Sequence, residues 1–245
     1  MGRMETIVLL HCSGSSGAQW RSLIAQLGPR YRAIAPNLTH PGTLAREAAP
    51  VRSLMGRAGG PVHLVGHSYG GAVALHIART RPELLKSLTL IEPSAFHLLE
   101  DGEALREITA VADDARAALA AGDYSGGFGR FAQYWSGAEM PADKRAAMAP
   151  QLAKVVSDFD ALLGEPAELQ DVCDIEVPTL VVQGGSTKLP SRSVCARLRT
   201  ALPEATFRVV PGAGHMSPIT HRDAVNALIA EHIESRSTAL LKEAA

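Results

Sequence analysis

The clearest chemistry in the chain lies in six residues, Gly66-His67-Ser68-Tyr69-Gly70-Gly71. They follow the apolar run Val62–Val65 and precede Ala72–Ala78. A serine flanked by glycines two positions away, at a sharp turn from strand to helix, sits in strained backbone that exposes its hydroxyl. The glycines remove side chains that would collide across the turn. The following helix directs its N-terminal amides at developing negative charge. Without its setting the pattern is an ordinary glycine-rich turn. With it, Ser68 is the candidate nucleophile for acyl transfer.

A serine hydroxyl is weak without a base. Nine histidines compete for that role. His215 lies in Pro211-Gly212-Ala213-Gly214-His215-Met216, just past the last expected strand. That loop lies at the carboxyl edge of the sheet, the edge that carries Ser68 and where open α/β sheets place their sites. His67 is the neighbour of the nucleophile and is expected to point away from it. His11 is expected to pack or hydrogen-bond within a loop, and His221 is the main rival to His215. No H-E-x-x-H or comparable cluster suggests zinc.

These residues need a scaffold. Short runs rich in Val, Leu and Ile read as strands at Glu5–His11, Tyr31–Asn37, Val62–His67, Ser87–Glu92, Thr179–Gln183 and Thr206–Val210. Continuous apolar runs suit parallel strands buried on both faces. Helical patterns near 18–27, 43–58, 70–80, 190–201 and 220–234 alternate with them. The alternation predicts an α/β fold, an open, mostly parallel six-stranded sheet with helices on both faces. Thr220 and Asp223 resemble a capping box before the last helix. The interval 94–174 shows no strand and is too long for a loop. It is expected to be a helical insertion, with helices over 105–119, 127–136, 141–156 and 158–163. The expected organisation is a core of 1–93 and 175–245 with a cap of 94–174. Seven of the eleven aromatic residues fall in that interval. They would form its own small core, and some, with Phe128, Phe131 and Trp135 chosen alongside Met216, would line an apolar substrate pocket.

Composition narrows the class. The 24 basic and 25 acidic residues are scattered, which argues against nucleic acid as a partner. No stretch of about 18 apolar residues suggests a membrane span. Cys12, Cys173 and Cys195 form no CxxC and no metal-ligand spacing, as in a reduced chain. The first apolar run, Ile7–Leu10, is too short for a signal-peptide core. The expectation is a cytoplasmic protein starting at Met1. Cys12 is expected to be a small buried filler.

The sequence resembles the α/β-hydrolase family through LLHCSGSSGAQW, HLVGHSYGGAVAL, SLTLIEPSA, VPTLVVQGG and VVPGAGHM. The resemblance covers essentially the whole chain. It implies the order nucleophile, acid, histidine, a helical cap after the strand that follows the serine, and a sheet lacking the family's first two strands. It implies an oxyanion hole from the backbone amides of Ser13 and Tyr69, although His11-Cys12 stands where the family has His-Gly. The family's acid most often follows the strand Thr179–Gln183, where this chain reads Gly184-Gly185-Ser186-Thr187-Lys188. Thr187 occupies the expected carboxylate position, and no Asp or Glu occurs between Glu176 and Glu204. Glu92, ending the strand after the serine turn, is the choice here, since some branches place the acid there; relatives also carry a structural carboxylate at this point. Asp158 and Asp160 are the other candidates, and a Ser–His dyad with water is the remaining arrangement.

The expected activity is hydrolysis of a small or medium carboxylic ester through an acyl-enzyme, with no metal or organic cofactor. Ser68 in place of a carboxylate nucleophile excludes the dehalogenase and epoxide-hydrolase routes. A carbon–carbon bond hydrolase, thioesterase, lactonase or perhydrolase would use the same residues. A ligand-binding protein on a hydrolase scaffold is the non-catalytic alternative. The expected partner is a small-molecule ester.

Overall fold

The computed structural model describes residues 4–243, with side chains described through residue 237. The outermost residues of the expected core, 1–3 and 244–245, lie outside the described residues. Six strands, β1 (Glu5–Leu10), β2 (Tyr31–Ile34), β3 (Val62–His67), β4 (Leu85–Ile91), β5 (Thr179–Gly184) and β6 (Thr206–Val210), form one sheet. Its order is β2-β1-β3-β4-β5-β6 and every pairing is parallel. The chain runs outward from β1 to β2, then crosses back to β3. This reversal opens a crevice at the carboxyl ends of β1 and β3.

Side-chain alternation explains why helices cover both faces. Val8 and Leu10 of β1, Leu64 of β3 and Leu88 and Leu90 of β4 enter one core. Helices α2 (Leu44–Gly56), α3 (Tyr69–Thr80) and α9 (Leu189–Ala201) pack there. Ile7, Leu9, Val65, Leu180 and Val182 enter the other core, with α1 (Arg21–Leu27) and α11 (Arg222–Glu243). Between β4 and β5 lie α4 (Glu103–Ala120), α5 (Tyr124–Ser136), α6 (Ala142–Met148), α7 (Leu152–Leu163) and α8 (Gln170–Cys173). Apolar residues of α4, α5 and α7 join the first core, so these helices stand over that face. A short α10 (Ser217–Thr220) precedes α11.

Several boundaries differ from expectation. β2 stops at Ile34, short of Asn37; its pairing with β1 ends at Val8–Ile34, and the Asn37 side chain accepts from the Gly17 amide. The expected helices 141–156 and 158–163 break instead at 149–151, around Pro150, which has no N–H for the helix ladder. α7 then runs unbroken through Ser157. Thr220 forms no capping box; its hydroxyl donates to the Met216 carbonyl. The last helix begins at Arg222 and extends to Glu243. No helix among the described residues is long and apolar enough to cross a membrane.

Candidate active site

Ser68 sits between β3 and α3 with φ 55° and ψ −118°, a left-handed backbone that L-residues rarely adopt. Close approach makes the turn possible. A Cβ on Gly66 would lie 2.3 Å from the Gly70 carbonyl oxygen, and one on Gly70 would lie 2.5 Å from the Leu10 oxygen. The Ser68 amide donates to the Ile91 carbonyl at 3.0 Å, which ties the turn to β4.

His215 arrives on the loop after β6. Its Nε2 is 2.8 Å from Ser68 Oγ, and its Nδ1 is 3.2 Å from Glu92 Oε2. An ionised carboxylate only accepts hydrogen bonds. Nδ1 therefore carries the proton and donates to Glu92, which leaves Nε2 free to accept from the Ser68 hydroxyl. All three side chains are buried. The Trp135 ring lies against the imidazole, with centroids 4.0 Å apart.

Glu92 leaves β4 in the left-handed region at φ 46°. Its Oε1 accepts from the Gly184 amide at 2.6 Å, and its Oε2 accepts from the Thr187 hydroxyl at 2.5 Å. Thr187 thus stands at the position where the resemblance implied an acid and hydrogen-bonds the carboxylate that comes from the neighbouring strand. Asp158 and Asp160 do not reach His215. Asp160 pairs with Arg116, and Asp158 accepts from Ser13 Oγ at 2.5 Å.

His67 turns away from Ser68. Its Nε2 bonds the His215 carbonyl at 2.9 Å, so that nitrogen carries the proton. Its Nδ1 then accepts from Gln19 Nε2 at 3.0 Å, and Gln19 Oε1 accepts from the Cys12 amide at 3.2 Å. Burial, with His215 nearby, pushes His67 down to about 3 and keeps it neutral. This relay joins the loop after β1 to the backbone of His215. His11 bonds the adjacent Cys12 carbonyl and accepts from the Leu38 amide on the loop after β2. His221 is occupied with Thr220. Burial pushes the Cys12 thiol up to about 12, so it is no thiolate.

Tyr69 opens α3, so its amide belongs to the first helical turn, whose N–H groups have no partner within the helix. Ser13 lies across from it on the loop after β1. The side chains of both are held from behind. The Tyr69 hydroxyl donates to Glu47 Oε2 at 3.3 Å, and Lys154 of α7 bridges Glu47 and Asp158. Burial raises Asp158 to about 6, against the pull of Lys154 and Ser13.

Phe128, Phe131, Trp135 and Met216 all border a pocket of about 380 Å³ that opens on Ser68 and His215. Two polar neighbours, Ser94 and Ser191, escaped the sequence reading. Ser94 Oγ lies 3.1 Å from Ser68 Oγ, and Ser191 Oγ lies 3.2 Å from His215 Nδ1. Thr187 was read only as a missing acid. Asp158 carried a signal, a carboxylate in the apolar stripe Leu152, Val155, Val156, Phe159 and Leu162, with Lys154 four residues before it.

Residues 7–228 match the family model described as the alpha/beta hydrolase family. The chain belongs to that family. Among relatives of this alpha/beta hydrolase, lipase LipV of Mycobacterium tuberculosis is 32% identical over 111 residues, covering 42% of this chain and 41% of that protein. The pimeloyl-[acyl-carrier protein] methyl ester esterase of Aeromonas hydrophila is 27% identical, covering 90% of this chain and 92% of that protein. Among solved structures, MGS-M2, an alpha/beta hydrolase from a deep-sea metagenome, superposes with a TM-score of 0.77 at 16% identity. It covers 94% of this chain and 90% of its own. That likeness supports the fold.

Proposed function

We propose that this protein hydrolyses carboxylic esters through a serine acyl-enzyme. One observation carries the reading: Ser68, His215 and Glu92 form a continuous hydrogen-bonded line that ends in a strained turn. In this reading Ser68 Oγ attacks the ester carbonyl while its proton passes to His215 Nε2. The carbonyl electrons move onto oxygen, which the amides of Ser13 and Tyr69 receive. Collapse expels the alcohol with the proton from His215. Water then attacks the acyl-enzyme, with His215 again taking and returning a proton. Glu92 fixes the imidazole tautomer and stabilises the imidazolium.

The residues between β4 and β5 would act as a cap, dividing the chain into a core of 1–93 and 175–245 and a cap of 94–174. The apolar pocket beneath α5 and α6 suits a small or medium ester with one apolar group. The names of the two relatives, a lipase and a methyl ester esterase, support the ester class.

The test is covalent labelling with a fluorophosphonate followed by peptide mass spectrometry. The expected result is a single adduct on Ser68 that is absent from Ser68→Ala. No adduct in the wild type, or an adduct on another residue, would overturn the assignment.

A further inference from the structure

Two spaces of very different size meet at Ser68. The larger, about 380 Å³, is bordered by His215, Met216 and Ile219 and by the aromatic side chains of α5. The smaller, about 10 Å³, is bordered by Ser94, Asp158, Phe159 and Leu162 and shares Phe131 and Trp135 with the larger. The first is apolar and admits a ring. The second has room for about one water-sized group.

Ester chemistry assigns the two spaces. The tetrahedral carbon on Ser68 carries an oxyanion, a leaving oxygen and the acyl substituent. The leaving oxygen must lie at His215 Nε2 to take its proton, so the alcohol continues along the wall that holds His215, into the large pocket. The acyl substituent turns to the other side, towards Ser94 and Asp158. That side is small, and its wall holds polar atoms. Asp158 is buried and already accepts from Ser13 and Lys154. A carboxylate has about four lone-pair sites, so it retains capacity for a further donor.

We propose that the small cavity is an acyl subsite for a two-carbon acyl group, acetyl or, better, glycolyl with its hydroxyl donating to Asp158, and that the large pocket takes an apolar alcohol. This inference rests on ester hydrolysis at Ser68.

The experiment compares kcat/KM at pH 8 for two isomers, 2-phenylethyl acetate and methyl 3-phenylpropanoate, and for 2-phenylethyl glycolate. The acetate is expected to exceed its isomer by about tenfold or more, and the glycolate to exceed the acetate by about tenfold. In Asp158→Asn the glycolate-to-acetate ratio is expected to fall towards one. The ratio is taken on one protein, so a general loss of activity cancels. Leu162→Ala, which widens the cavity without touching Asp158, is expected to raise 2-phenylethyl butanoate relative to the acetate by about tenfold. Should Asp158→Asn fail to fold, the isomer preference and Leu162→Ala still decide. Equal or reversed isomer preference, or a glycolate ratio unchanged in Asp158→Asn, would overturn the proposal. So would failure to turn over any of these esters by a protein whose Ser68 takes the fluorophosphonate label. Absence of the label would instead remove the ester-hydrolase reading itself, and this inference with it.

Discussion

Glu92 and Thr187 come from neighbouring strands and meet beside His215. Glu92 comes from the end of β4, yet its Oε2 lies within hydrogen-bonding distance of both Thr187 and His215 Nδ1. Thr187 follows β5, the strand beside β4 in the sheet. Glu92→Gln keeps the shape but removes the charge and offers a donor where Nδ1–H needs an acceptor. Its kcat is expected to fall by about 10³–10⁴, with KM changing by less than about threefold. Steady-state kinetics on an activated ester checks this, and a kcat within about tenfold of wild type would contradict the role given to Glu92. At this scale Ser68 and His215 were legible because each sits in a local motif. Glu92 was chosen as the carboxylate ending the strand after the serine turn, where the resemblance allows an acid. Asp158 at Ser13 was not, because the two residues are 145 positions apart and no local pattern joins them.

At the scale of elements, continuous apolar runs marked the strands well, since a parallel strand buried on both faces needs little else. Ends were less legible, as they depend on partners. β2 ends where its pairing with β1 ends, and the break before α7 follows Pro150 and not the apolar period. α7 is the element that links the overlying helices to the site. Its Lys154 and Asp158 reach Glu47, Tyr69 and Ser13 in the core. The burial of Asp158 has a consequence for stability. Its folded pKa of about 6 lies above the ordinary aspartate value of 3.8, so the folded state favours the proton. Ionisation therefore costs stability as pH rises from about 4 to about 6, and the cost stays constant above that. Asp158→Asn cannot ionise. Relative to wild type it is expected to gain up to about 3 kcal/mol between pH 4 and pH 7. Urea unfolding at the two pH values measures this, and a pH-independent difference would contradict it.

Among the described residues, a second serine, histidine and glutamate stand in line. At the amino end of the sheet, His63 Nδ1 lies 2.7 Å from Ser87 Oγ, and His63 Nε2 lies 3.1 Å from Glu5 Oε2. Burial would raise Glu5, but hydrogen bonds from Lys86, Ser237 and His63 outweigh it and bring Glu5 down to about 2. Ser87 is buried inside a regular strand, whereas Ser68 stands at a strained turn bordering a pocket. A serine, histidine and carboxylate in line therefore do not by themselves mark a candidate site. The fold must also set them at the crevice edge, beside amides and an opening. The parallel order and the reversal between β1 and β3 do this; the strand–helix alternation predicted a mostly parallel sheet, while the strand order is seen only in the structure. The most direct measurement of the central claim is p-nitrophenyl acetate hydrolysis by wild type and Ser68→Ala, purified identically. Activity in the wild type that falls by at least about 10³-fold in the variant is the expected result. Equal activity in the two proteins would contradict Ser68 as the nucleophile.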